Sequence, residues 1–173
     1  MAMSKLVDTL RADSAAEAPL VADRHTSIYS YKEDLSLNAP VDLSKMRFMR
    51  IILFHVRSGH DQDWEHVVKL FIKAYQSSIP EARWAMFEKD YGVGSDNIYI
   101  LVTPMDSLSI VDDMRASSKK FDDAVGADQL QMLRSSLDAA VESSESDLFA
   151  LSPLMSYVPD AWVSASPDFW GKK

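Results

Sequence analysis

The stretch MRFMRIILFHVR, Met46 to Arg57, is apolar on both sides of an extended backbone. Alternation puts Met49, Ile51, Leu53 and His55 on one face, flanked by Arg47 and Arg57. Phe48, Arg50, Ile52, Phe54 and Val56 fall on the other. A strand covered on one side alone alternates apolar with polar residues. This one calls for two covers, helices on one face and a second sheet on the other. Ser58–Gly59 breaks the strand, and a helix is expected from Asp61 to Ser78. Its stripe is Trp64, Val67, Val68, Phe71, Ile72 and Tyr75, with Glu65, Lys69 and Lys73 outside it. Asp61 is placed to cap that helix, and Asp63 and Glu65 suit the positive end of its dipole.

Downstream, Pro80 closes the helix and two strands are expected over 82–91 and 97–103. Between them Gly92-Val93-Gly94-Ser95-Asp96 has the glycines that hairpin turns use for positive φ. Pro104 is expected to stop the second of these strands. Asp106 then caps a helix through Leu108, Val111, Met114 and Phe121. Gly126 separates it from a helix over 128–145, striped by Leu130, Leu133, Leu137 and Val141. A last strand is expected at 153–158 (PLMSYV). Upstream, Leu6, Val7 and Leu10 predict a short helix over 4–12, residues 13–23 read as a linker, and His25–Tyr31 reads as a strand. The expected organisation is an N-terminal arm (1–45), an α+β domain (46–158) and a C-terminal tail (159–173). That tail carries Trp162, Phe169 and Trp170, too aromatic to remain in water.

Composition narrows the function classes. The chain has 173 residues, 47% of them hydrophobic and 25% charged, which suits one globular domain of ordinary size. Acidic residues outnumber basic ones 26 to 18, giving a net charge of −8. A nucleic-acid backbone needs a concentrated basic face, so nucleic acid is not an expected partner. There is no cysteine, which removes disulfides, thiolate metal sites and a cysteine nucleophile. No apolar run approaches the ~20 residues of a membrane span, and residues 1–20 hold no apolar signal-peptide core. A soluble, cytoplasmic protein is the expectation.

The order β–α–β–β–α–(α)–β over 46–158 is that of a ferredoxin-like split βαβ unit. HVRSGHDQDWEHVVKLF, residues 55–71, resembles the strand-to-helix junction of the dimeric α+β-barrel superfamily, with Gly59 and Trp64 as its pattern-like positions. Antibiotic-biosynthesis monooxygenases, haem-degrading monooxygenases and stress-responsive barrel proteins share that form. The resemblance implies a homodimer whose two sheets pack face to face, which would account for the two-sided strand. It also implies chemistries to compare. Haem-degrading members use an Asn on the first strand and a Trp and a His on the helices. Strand 46–57 holds no Asn, and the helices expected at 106–123 and 128–145 hold neither Trp nor His, so haem is not an expected cofactor and none other is implied. Cofactor-free oxygenases of the superfamily line the barrel with Asn, Trp, Tyr and Arg, and Asn97, Trp84, Tyr99 and Arg50 are available here.

No stretch carries a specific catalytic, metal or phosphate signature. His55 has a side chain suited to general-base work, or to a hydrogen bond at a strand end. Arg50, set between Phe48 and Ile52, calls for an anion, either a structural carboxylate such as Glu88 or an anionic ligand. Trp84, Met86 and Glu88 share a face of one strand, and Asn97, Tyr99 and Thr103 a face of the next. Together they line a ligand pocket or fill a core. His60, Asp61, Asp63, Glu65 and His66 crowd one turn without metal-ligand spacing, and no metal site is expected. Gly92-x-Gly94 lacks the Lys of a phosphate loop, and the helical serines, such as Ser135 and Ser136, show no triad pattern. The expected function is binding of a small apolar or aromatic molecule inside the barrel, with Arg50, Trp84, Met86, Asn97 and Tyr99 as its lining. Arg50 or His55 would act on it in a cofactor-free oxygenase route. The alternative is a non-catalytic assembly protein with a solid barrel and tail-mediated contacts.

Overall fold

The computed structural model describes residues 2–94 and 97–171. Ser95 and Asp96 of the expected hairpin turn, and the side chains of Leu6, Leu10 and Met114, lie outside that description. The chain is α+β, and among the described residues it forms one five-stranded antiparallel sheet and six α-helices. The strands are β1 (Ser27–Tyr31), β2 (Phe48–Val56), β3 (Ala85–Gly92), β4 (Ile98–Met105) and β5 (Val141–Ala150), in the spatial order β1-β3-β4-β2-β5. The helices are α1 (Ala2–Glu17), α2 (Asp61–Ser78), α3 (Ser109–Val125), α4 (Ala127–Ala140), α5 (Asp160–Ala165) and α6 (Pro167–Trp170). None is long and apolar enough to cross a membrane.

The β2 reading holds, and so does α2, whose stripe residues Trp64, Val67 and Val68 are buried. Strand β2 lies between β4 and β5, with Phe54 opposite Tyr99 and Ser144, and Arg50 opposite Thr103 and Leu148. Helices α2, α3 and α4 supply the helical part of the core, and its sheet residues all come from one face: Phe54, Val56, Met86, Tyr99 and Leu101. The odd-numbered residues of β2 point the other way, and the core cluster contains none of them.

Several expectations give way. Helix α4 ends at Ala140, and the fourth strand of the βαββαβ series is 141–150, not 153–158. Nine of the ten β5 residues are exposed, because β5 is an edge strand with one neighbour. Its sequence, VESSESDLFA, therefore carries no apolar alternation from which a strand could be read. Residues 153–157 form a turn and coil, with Leu154 and Met155 in solvent.

Pro104 does not stop β4 but sits within it, opposite Met49. Arg47 N–H donates to Met105 O, so Met105 faces β2 and the nitrogen of Pro104 faces the β3 side. The β3 ladder begins only at Ala85, opposite Val102, so no ladder bond is lost at Pro104. Asp61 is the first residue of α2 rather than its cap; His60 holds that position without a side-chain cap, and its Nδ1 lies 2.9 Å from Asp63 Oδ2. Helix α3 starts after Leu108, again with no side-chain cap, so Asp106 does not cap it. Part of the expected linker is helical, since α1 runs on to Glu17.

Two glycines have positions that their backbone requires. Gly126 joins α3 directly to α4 at φ +81, where a side chain would be strained. Gly92 pairs with Ser27 at the start of β1, and a Cβ there would collide with the serine backbone and side chain. The arm thus docks β1 onto β3 and extends the sheet. The C-terminal helices pack on the chain's own turn at 43–45: Trp170 is buried and its indole N–H donates to Ser44 O at 2.7 Å. Arg47 ties them down further, lying 4.1 Å from the Phe169 ring centroid and donating to Ser166 Oγ at 2.6 Å.

Candidate functional site

A strand turns every second side chain to the same face. Arg50 and His55, five positions apart on β2, therefore point to opposite sides of the sheet. They do not share a site, and the two candidates for acting on substrate are separated by the backbone itself. His55 lies on the face away from the helices, level with Ile98 on β4 and Ser143 on β5.

The helix-facing side holds the other candidates in two groups. Tyr99 and Met86 are each 1% exposed and sit in the core. Trp64 packs against Tyr99 with ring centroids 5.4 Å apart, and against Phe54 at 4.8 Å. The Trp64 indole nitrogen is buried without a hydrogen-bond partner. Tyr99 Oη donates to Glu88 Oε1 at 3.0 Å, while Lys32 Nζ donates to Glu88 Oε2 at 2.8 Å. Burial first, and then the Glu88 charge, hold the Tyr99 phenol well above its ordinary pKa. The hydrogen bond to Glu88 likewise raises Lys32. Asn97 stands just before β4 and its Nδ2 donates to Asp61 Oδ2 at 3.5 Å. This end of the sheet is filled, with the Trp64 indole N–H its one unpartnered buried polar group among the described residues, and Met86 and Tyr99 are closed to solvent.

Arg50 lies four residues along β2 from Phe54, the partner of Tyr99, which is about 13 Å at strand rise. Its row across the sheet runs from Trp84 through Thr103 to Arg50 and Leu148, because Ala85 pairs with Val102. Tyr75 of α2 covers this row, with its ring 5.3 Å from Trp84 and 4.6 Å from Phe121. Trp84 is 8% exposed, and its indole N–H donates to Leu35 O at 3.0 Å. Burial raises the Tyr75 phenol, against which the Arg50 charge acts in the lowering direction.

The expected pairing of Arg50 with Glu88 is absent, since Glu88 is engaged by Lys32 and Tyr99. Among the described residues no carboxylate lies within 4.0 Å of the Arg50 guanidinium. Its one side-chain bond is from Nε to Ser146 Oγ at 3.0 Å. Helices do not cover the β5 end of this row, where Leu148 is 52% exposed, nor the exposed Ser146 and Ser144 beside Ile52 and Phe54. Two shallow depressions, of about 410 Å³ along Pro153–Tyr157 and about 380 Å³ along Asp128–Ser136, touch none of Arg50, Trp84 and Tyr99.

Sequence reasoning missed Tyr75, Ser146 and Leu148 as neighbours of Arg50. Tyr75 was legible only as one more residue of an apolar stripe. Ser146 and Leu148 sit on a strand whose polar run reads as the end of a helix. Comparison with protein-family models, curated proteins and solved structures gave no match for this chain.

Proposed function

We propose that the chain pairs with a second copy of itself, open sheet face to open sheet face, and that its role is assembly rather than turnover. The observation that carries this reading is the sheet face turned away from the core that α2, α3 and α4 build. It presents Met49, Ile51 and Leu53 from β2, Ile100 and Val102 from β4, and Phe87 from β3, while Ile98 at its end is buried by the chain itself. Leaving β1 aside, the order β5-β2-β4-β3 supports a ferredoxin-like split βαβ unit. Two such units packed through their sheets make an α+β barrel. The whole face of β5-β2-β4-β3, charged flank included, is about 20 Å across and about 27 Å along the strands, on the order of 500 Å² flat per copy. Two copies together approach the ~1,000 Å² that a specific interface needs, and sheets pack at ~10 Å with native density.

Charge favours one arrangement. Glu145 and Asp147 of β5 flank the patch on one side, and Tyr29 with Lys89, buried and donating to Val93 O at 3.4 Å, lies on the other. A two-fold axis parallel to the strands sets the acidic flank of one copy over the Lys89 flank of its partner. An axis across the strands would set acid over acid. The packed interior beneath α2, where Trp64, Met86 and Tyr99 leave no room, supports the assembly reading over a pocket at that end.

Sedimentation velocity tests the proposal. Twice the 19.4 kDa chain mass is expected at micromolar concentration, and Leu53→Asp is expected to sediment as a folded monomer. A wild-type chain that stays monomeric up to 100-fold higher concentration sinks it.

A further inference from the structure

We infer that Arg50, with Ser146 and Tyr75, forms a binding site for a small organic acid with an apolar body, on the helix side of the sheet and away from the proposed dimer face. In a chain of net charge −8, a half-buried guanidinium would ordinarily draw a carboxylate, and this one has none. The carboxylates nearest in sequence on the neighbouring strand, Glu145 and Asp147, belong to the opposite face, because Ser146 and Leu148 take the positions beside Ile52 and Arg50. Ser146 engages only Nε. Both Nη groups keep their donors, and their fork matches the two oxygens of one carboxylate.

The rest of the row fits the body of such a ligand. Leu148 and Phe48 offer apolar surface beside the cation, and Tyr75 and Trp84 form an aromatic wall on its other side. The hydroxyls of Ser146, Tyr75 and Thr103 supply the remaining polar contacts. A phosphate dianion fits less well: Arg50 is the only cation in the row Trp84–Thr103–Arg50–Leu148, and the acidic chain repels multiple negative charge.

The test is a titration of the 15N-labelled full-length protein with sodium benzoate, followed by NMR at constant ionic strength, with inorganic phosphate as a second arm. Saturable shifts are expected at the Arg50 Nε–H and at the amides of Tyr75, Ser146 and Leu148. Arg50→Gln is expected to lose them, and Arg50→Lys to weaken binding at least tenfold. Should Arg50→Gln fail to fold, Ser146→Val on the exposed edge strand serves in its place and is expected to weaken binding several-fold. Shifts that grow linearly without saturating overturn the site, as do equal shifts in the variants. Saturation by phosphate but not by benzoate overturns the carboxylate assignment. Sedimentation of the same samples reports the dimer separately, so loss of one reading leaves the other standing.

Discussion

The two faces of the sheet are built from the same strands and are equally apolar along β2, yet they end in different states. On one, Phe54 and Leu101 pack against the core that α2, α3 and α4 build, and Trp64 wedges between Phe54 and Tyr99. On the other, Leu53 and Ile51 meet nothing from their own chain that belongs to the core. What separates them is connectivity. Each crossover of the βαββαβ series is long enough to carry a helix, and all three helices of those crossovers return to the same side. A chain of this length spends its helices on one face. The other is the face for which we propose a second copy.

The difference can be pressed from both sides. The largest expected effect is at the filled face: Trp64→Ala removes a fully buried ring and should cost about 3–5 kcal/mol of folding free energy, read by urea denaturation. A loss below about 1 kcal/mol would mean that the interior is not packed as described. Ile100→Ser, on the open face, should cost about 1 kcal/mol or less at nanomolar concentration. Its cost should grow at micromolar concentration, where the proposed association would stabilise the wild type. A penalty independent of concentration would assign Ile100 to the chain's own core.

The smallest expected effect is a pH dependence on the filled side. Tyr99 and Lys32 both hold their protons more tightly folded than unfolded, so their contribution is complete below about pH 10. It falls away as the pH rises through their folded values. Thermal melts should thus be flat across neutral pH and decline above the ordinary values of 10.0 for the phenol and 10.5 for the amine. Tyr99→Phe, which cannot ionise, should show a shallower alkaline decline. An unchanged slope would remove Tyr99 as a source of it.

The strands and helices that pack against something were readable, since burial on a face imposes a period. Helix α2 carries one, while β2, apolar on both faces, is legible as a continuous apolar run ended by Ser58–Gly59. Elements that pack against little were misread for the same reason: β5, exposed along nine of its ten residues, has no period to read. The site suffered the same loss. Arg50 and Trp84 were recognisable as residues in want of partners, while Ser146 became visible only once β5 was placed beside β2. Even the separation of Arg50 from His55 follows from counting five residues along a strand. The competition for Glu88 does not, because Lys32 reaches it from 56 positions away.

What the amino-acid order determined alone is local and periodic. It set the doubly apolar strand, the amphipathic helix behind it, the cysteine-free acidic composition and an aromatic tail that had to find cover. The tertiary structure decided which face of that strand the helices took, that Glu88 went to Lys32 and Tyr99 rather than to Arg50, and that the tail closes on Ser44 and Arg47 of its own chain. These depend on contacts between residues tens of positions apart, and nothing in the spacing of neighbouring side chains encodes who meets whom at that range.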